Sequence, residues 1–229
     1  MKPLDLYAKI EPLIGFYDEY ENLYSSYLHL LAPLHVKSVL DIGCGNGKFL
    51  KILDENDFHA LGIDRSDVMV KRSVALGVDA STKELSSFSA ASFDCAVAVA
   101  DVLNYIKPEE LEIFFEDVAN VLKEDGYFLA DVNTLAGFEL ADGVMVRDEV
   151  DKFLSVEAFF EKDLLTTNIT FFEKENKNFK RSSGQVLQYY HPKKTFENLK
   201  SFKLVTSSPL SLFSDEEEKS LMLFQKIRT

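Results

Sequence analysis

A glycine-rich turn between an apolar strand and a helix constrains the fold of this chain more than any other feature. In the segment VLDIGCGNGKFL, residues 39–42 predict a short buried strand, and Gly43, Gly45 and Gly47 follow at alternate positions before a helix begins near Lys48. Glycine permits positive φ and lets a ligand lie against the backbone. The next helix directs its unpaired N–H groups and positive dipole end at the same space. One glycine would suffice for an ordinary turn, so three glycines after an acidic residue favour a nucleotide-type ligand.

The overall composition limits the classes of protein that this chain can represent. Its 229 residues, 46% of them apolar, fit one α/β domain with an insertion. A net charge of −13 argues against nucleic acid as a partner. The apolar runs are shorter than the roughly 18 residues that a membrane span needs, and the N-terminus shows no signal-peptide core, so we expect a cytoplasmic protein. Cys44 and Cys95 are too few for a disulfide framework or a zinc site.

The order of apolar patterns predicts one domain over 1–229 with four parts. A helical N-terminal cover occupies 1–35, a doubly wound core of alternating strands and helices occupies 36–136, and an antiparallel β insertion occupies 137–190. The end of the core sheet occupies 191–229. The predicted core strands are 37–42, 60–64, a brief strand after a turn within 77–82, 93–100, 127–133, 202–206 and 221–227. The predicted core helices are 48–55, 66–76, 108–122 and 192–199.

Two segments outside the glycine turn allow more than one interpretation, and a third is read as surface. The insertion follows a strand end, so we expect a lid or substrate platform, with a stabilising or dimer-forming sheet as the alternative. Tyr17, Tyr20 and Tyr24 lie on a helical aromatic stripe that packing explains, although these rings could reach over a ligand. The acidic run at 215–218 predicts a solvated loop.

Asp64 ends the second predicted strand, 17 residues beyond Gly47. This is close to the distance at which a βαβ unit places an acidic residue beside a ligand's ribose. The alternative role, capping the next helix, can equally be filled by Ser66 or Asp67, so the ribose role is favoured. The fourth strand ends at Asp101, at the sheet edge where open α/β sheets bind their ligands.

Together, VLDIGCGNG, the acid in LGIDRS, FDCAVAVADVLNYI and LKEDGYFLADVNT resemble the class I S-adenosylmethionine-dependent methyltransferases. Within this family, the chain looks most like small-molecule enzymes with an antiparallel insertion after the fifth strand, a group that includes glycine and amino-sugar N-methyltransferases. The resemblance implies a Rossmann-like seven-stranded sheet with the last strand antiparallel. It also implies S-adenosyl-L-methionine as cofactor, S-adenosyl-L-homocysteine as product, and a small-molecule nitrogen or oxygen atom as methyl acceptor.

The resemblance also implies roles for individual residues in cofactor binding. Asp64 would bind the ribose hydroxyls, and Arg65 would lie beside the adenine. Many relatives carry an acid followed by alanine near the adenine amino group, and Ser81 and Thr82 occupy those positions here. Around the methionine part, the implied residues are Asp41, Gly43, Cys44 and Gly45. Near the sulfonium, they are Ala100, Asp101 and Val102.

Methyl transfer from a sulfonium is an in-line displacement with an activated leaving group, so the protein mainly aligns the acceptor and excludes water. Asp101 is the candidate catalytic residue, as a base or as an orienting group. Asn104, Tyr105 and Tyr190 are candidates for the acceptor pocket. Relatives often carry His and Arg before the final helix, where this chain has glutamines, so the acceptor's identity does not carry over.

Two other functions fit parts of the same pattern. A nicotinamide-dependent oxidoreductase could use Gly43, Gly45 and Asp64, but its G-x-G-x-x-G pattern needs a third glycine where this chain has Lys48. A protein that binds the cofactor without catalysis would show the same turn and the same Asp64. Only turnover of an acceptor distinguishes an enzyme from such a binding protein.

Overall fold

A seven-stranded sheet forms the centre of the computed structural model, which describes residues 2–15 and 17–228, without the side chains of 17–19. The strand order is β10-β11-β5-β4-β1-β2-β3. β1 pairs in parallel with β2 and β4, β4 pairs in parallel with β5, and β11 is antiparallel to both of its neighbours. The predicted Rossmann-like fold is confirmed. The strands are β1 Ser38–Ile42, β2 His59–Ile63, β3 Ala80–Ser81, β4 Phe93–Ala98, β5 Leu122–Asn133, β10 Phe202–Leu210 and β11 Lys219–Lys226.

Helices cover both faces of this sheet and bury an apolar cluster on each. On one face, helix α5 (Leu111–Val121) packs Phe115 edge-on against Phe128 of β5 and Phe224 of β11. The opposite cluster joins α2 (Tyr17–Leu31) and α3 (Lys48–Glu55) to the strands. Parallel strands covered on both faces are continuously apolar, which explains why the sequence pattern located them.

The helix boundaries show local capping. α3 matches its predicted bounds, and α4 (Asp67–Ala75) begins after Ser66, whose hydroxyl accepts a hydrogen bond from the Met69 N–H at 3.3 Å. The short α7 spans Lys193–Glu197. β5 begins at Leu122, five residues before the predicted start, because Leu122 pairs with Phe93 of β4 before a register shift leads on to Tyr127.

The N-terminal cover consists of two helices rather than one. α1 (Pro3–Ile14) ends at Gly15, whose φ of +83° suits a glycine C-cap, and α2 follows. Phe16 and the side chain of Tyr17, part of the predicted aromatic stripe, lie outside the described residues.

The insertion forms a separate antiparallel sheet of order β6-β7-β8-β9, as predicted, preceded by an unpredicted helix α6 (Leu135–Ala141). Its inner face packs against α1, where Leu6 and Ile10 join an apolar cluster with Ile169, Phe171 and Val186. The insertion is therefore tied to the N-terminal cover. The strands are β6 Gly143–Glu149, β7 Lys152–Glu161, β8 Leu164–Glu175 and β9 Asn178–Tyr189.

The acidic run at 215–218 is not wholly solvated, which corrects the expectation from sequence. Glu218 is buried, and its carboxylate accepts backbone N–H groups of Leu212 and Phe213. These hydrogen bonds lower its pKa against the opposing effect of burial, and they turn the last residue of the run inward. None of the described helices has the length and apolar character needed to cross a membrane.

Candidate functional site

A cavity of about 500 Å³ opens at the carboxyl ends of β1, β2 and β4. Its wall combines the glycine turn, the ends of β2 and β4, the first two helices and one side of α5. This is the edge at which open α/β sheets bind ligands. Predicted site residues that line the cavity are Asp41, Gly43, Cys44, Gly45, Asp64, Arg65, Ala100, Asp101, Val102 and Tyr105.

The glycine turn has the conformation that its composition predicts. Gly43, Gly45 and Gly47 all have positive φ, of +76°, +55° and +80°. A side chain at Gly43 would lie 2.6 Å from a Val102 methyl carbon, so the turn packs directly on the end of β4. A side chain at Gly45 would meet no atom within 4 Å, and this residue lines the cavity. The backbone at Gly45 is thus open to a ligand.

Asp64 links the glycine turn to α4. One carboxylate oxygen accepts the Gly45 N–H at 2.9 Å, and the other accepts the Ser66 N–H at 2.7 Å. Burial raises the pKa of Asp64, while the two backbone N–H groups lower it. Each carboxylate oxygen can accept more than one hydrogen bond, so Asp64 keeps acceptor capacity towards the cavity.

Asp41 is the most buried carboxylate on the cavity wall, with 1% of its surface exposed. Its Oδ1 atom has no hydrogen-bond partner among the described residues. Burial, followed by the negative charge of Asp64, raises the pKa of Asp41 to about 8. A buried acceptor without a partner is costly, and it favours a ligand that brings a donor.

β4 ends at Ala98, short of the predicted strand end, and Asp101 reaches the cavity from the turn that follows. Both of its oxygens already accept hydrogen bonds. Lys219 Nζ donates to Oδ1 at 2.8 Å, and Gln188 Nε2 donates to Oδ2 at 2.6 Å. An ammonium group and an amide thus hold this carboxylate in one orientation. This geometry favours the orienting role of Asp101 over the role of base.

The structure does not bring Ser81 and Thr82 to the cavity wall. The wall next to the end of β3 is formed by 83–86 instead, in the loop after the strand. The Ser81 hydroxyl is buried without a hydrogen-bond partner among the described residues. The predicted adenine contact of Ser81 and Thr82 therefore has no support in this geometry.

Two of the predicted acceptor-pocket residues also lie elsewhere. Asn104 is fully buried, where its amide donates to the Tyr189 carbonyl and its Oδ1 accepts the Asn133 N–H. Tyr190 packs edge-on against Phe138, with ring centroids 5.9 Å apart. Asn104 thus ties the insertion to the core, and Tyr190 packs within the insertion. Sequence reasoning did not separate these roles from substrate contact.

Tyr7 and Glu11 of α1 lie on the wall and had no signal in the sequence. The described wall contains no residue of 137–190, so α1 rather than the insertion covers the cavity. Tyr20, which the sequence allowed to reach over a ligand, also lines the cavity, as does Tyr105. Burial is the largest cause of the raised pKa of all three phenols, and the nearby Asp101 charge adds to it. They face the site as neutral donors.

Comparison with known proteins agrees with this geometry. Residues 40–130 match the family model described as a methyltransferase domain. A protein from Geobacillus sp. strain WCH70, named only provisionally as a methyltransferase, is 31% identical over 128 residues, which cover 52% of this chain and 51% of that protein. The match thus spans about half the length of this relative.

Solved structures extend the similarity to almost the whole chain. An S-adenosylmethionine-dependent methyltransferase from Clostridium acetobutylicum is 20% identical, with a TM-score of 0.78 over 96% of this chain and 98% of that one. CalS10, an amino pentose methyltransferase from Micromonospora echinaspora solved with S-adenosylmethionine bound, is 13% identical, with a TM-score of 0.69 over 97% of each chain. Residues 40–130 thus match a methyltransferase domain in sequence, and the chain as a whole has the fold of S-adenosylmethionine-dependent methyltransferases.

Proposed function

We propose that this protein is an S-adenosylmethionine-dependent methyltransferase that methylates a nitrogen or oxygen atom of a small molecule. One observation carries the proposal. The cavity places an open glycine backbone, a buried carboxylate without a partner and the carboxylate of Asp64 on one wall. The match of 40–130 to a methyltransferase domain supports the same conclusion.

The residues on this wall fit the chemical groups of S-adenosylmethionine. Its α-ammonium group offers donors for the unpartnered Asp41 oxygen, and its ribose hydroxyls offer donors for Asp64. The bared backbone at Gly45 admits the ligand at close range. When bound, S-adenosylmethionine supplies an electrophilic methyl group on a sulfonium.

The protein's own contribution is to position the reactants and exclude water. Asp101, held by Lys219 and Gln188, is a fixed acceptor for a donor group of the methyl acceptor. Tyr7 and Tyr105 add phenol hydroxyls to the same region. No covalent bond to the protein is needed for a transfer of this kind.

The charge of the cavity supports a neutral or cationic acceptor rather than an anion. Its described wall holds seven carboxylates and two basic side chains, a balance that disfavours carboxylate or phosphate groups. Amines and neutral hydroxyl compounds are therefore the acceptors to test first. The carboxylates belong to Glu11, Asp41, Asp64, Glu84, Asp101, Glu110 and Asp117, and the basic groups to Arg65 and Lys83.

Calorimetry tests cofactor choice. We expect S-adenosylmethionine and S-adenosylhomocysteine to bind and NAD not to bind. Asp64→Asn should weaken S-adenosylmethionine binding by about 10- to 100-fold, because a group that accepts from a ligand hydroxyl is worth roughly 1–3 kcal/mol. Asp67→Asn is the matched control, since Asp67 is exposed in the first turn of α4. Equal affinity in both variants would contradict the assignment of Asp64.

Turnover tests catalysis separately from binding. A panel of amines, hydroxy compounds and phenols should be screened for release of S-adenosylhomocysteine. Product release with one member identifies an enzyme and its acceptor class. Tight cofactor binding without turnover across the panel would favour a binding protein.

A further inference from the structure

We infer that Lys219 is a positioning residue that holds Asp101 in a fixed position at the cavity wall, so that the Asp101 carboxylate orients the acceptor. This inference rests on the proposed methyltransferase function. Lys219 lies outside the cavity wall, at the start of the last strand, and its effect on the reaction would pass through Asp101.

Lys219 bridges two carboxylates in a buried position. Its side chain is 3% exposed, and its ammonium nitrogen lies 2.8 Å from Asp101 Oδ1 and 2.9 Å from Asp131 Oδ2. Asp131 is fully buried. One buried cation thus neutralises half of the charge of two carboxylates, which without it would repel each other in a medium of low dielectric.

Asp131 in turn shapes the backbone that carries Asp101. Its Oδ1 accepts the Ala100 N–H at 2.7 Å, and its Oδ2 accepts the Asp101 N–H at 3.0 Å. Ala100 and Asp101 both have left-handed φ, of +64° and +56°, a conformation that L-residues rarely adopt in succession. The hydroxyl of Tyr27, on α2, also donates a hydrogen bond to Asp131 Oδ1 at 2.7 Å. The strained pair is held by a carboxylate whose charge Lys219 compensates.

The groups facing this cluster come from every element packed around it. Gln188 of β9 donates to Asp101, and Tyr27 donates to Asp131. The phenols of Tyr7, Tyr20 and Tyr105 surround Asp101 at longer range and are neutral, because their pKa values are raised. Asp41 lies close enough to raise the pKa of Tyr27. The ammonium of Lys219 is thus the one cation in direct contact with Asp101 and Asp131 among the described residues.

Removal of the cation should lower turnover more than it lowers cofactor binding. In Lys219→Met, Asp101 would lose the hydrogen bond to its Oδ1 atom, and the two carboxylates would repel each other without a compensating charge. We expect kcat for S-adenosylhomocysteine release to fall about tenfold, while the Kd for S-adenosylmethionine stays within about twofold of wild type. Lys219→Arg should restore most of the wild-type kcat, and Lys203→Met, an exposed change on the neighbouring strand, should match wild type.

A second variant distinguishes a loss of folding from a loss of positioning. If Lys219→Met does not fold, Lys219→Met with Asp101→Asn removes one carboxylate with the cation and should fold again. A folded Lys219→Met protein with the wild-type kcat, or a double variant that still fails to fold, would overturn the inference. Failure of the proposed function appears separately, as no binding of S-adenosylmethionine to the wild-type protein.

Discussion

At the scale of single residues, Asp41 occupies a position that suits ligand binding but destabilises the ionised carboxylate when no ligand is bound. The side chain is buried, one oxygen has no described partner, and its pKa is raised to about 8. A carboxyl group whose pKa is higher in the folded state than in the unfolded state makes the folded state bind more protons. Between these two pKa values, stability therefore falls as pH rises.

Asp41→Asn should consequently stabilise the protein without ligand while it weakens cofactor binding. We expect the stability of the variant, relative to wild type, to grow by up to about 1.4 kcal/mol per pH unit between pH 5 and 8, and to stay constant above pH 8. Chemical denaturation at pH 5, 6, 7, 8 and 9 measures this difference. A gap that does not change with pH would show that Asp41 titrates normally. Calorimetry on the same variant should show weaker binding of S-adenosylmethionine.

Residues differ in how far their roles could be predicted from sequence. Asp64 and the glycines lie in contiguous motifs whose spacing fixes their positions, and the structure places them on the cavity wall. Lys219 and Gln188 both contact Asp101, from which they are separated by 118 and 87 positions in the sequence. No local pattern encodes such distant contacts. Asp131 did leave a signal, since a carboxylate in the middle of an apolar strand must be paired.

At the scale of elements, α1 lies between the cavity and the insertion. Tyr7 and Glu11 face the site, and Leu6 packs on the insertion sheet. Strand and helix positions followed from apolar periodicity, but which element covers the site depends on long-range packing that periodicity does not contain. The prediction that the insertion forms a sheet is therefore correct. The element that covers the cavity, however, is α1 and not the insertion.

Gly184 of β9 tests this arrangement, because α1 approaches it closely. A Cβ atom there would lie 3.1 Å from a Leu6 methyl carbon. Gly184→Val should displace α1, weaken S-adenosylmethionine binding by about 3- to 10-fold and cost roughly 1–3 kcal/mol of stability through overpacking. Calorimetry and thermal denaturation measure the two effects.

Ser183→Val is the control for Gly184→Val, since Ser183 is exposed and alternate residues of a strand face opposite sides. This control should keep the wild-type affinity. If both variants bind the cofactor equally well, α1 does not depend on its contact with β9 for its position over the site.

At the scale of the whole molecule, the net charge of −13 continues into the cavity wall. An amine acceptor that also carries a carboxylate should therefore be a poorer substrate than its carboxamide. We expect kcat/KM to be at least about fivefold higher for the carboxamide at 50 mM salt, with the gap narrowing at 500 mM as ions screen the charges. Steady-state kinetics at both salt concentrations measure this, and a preference for the carboxylate would contradict the proposed acceptor class.

The cluster around Asp131 has a practical consequence for protein engineering. Its members come from the second helix, the central strands, the insertion and the last strand, whereas the segment with the family signature ends at residue 130. A fragment cut to residues 40–130 would lose all four side chains that hold the turn at Ala100 and Asp101, namely Tyr27, Asp131, Gln188 and Lys219. Chimaeras that exchange insertions between related proteins would likewise have to carry over a hydrogen-bond donor equivalent to Gln188.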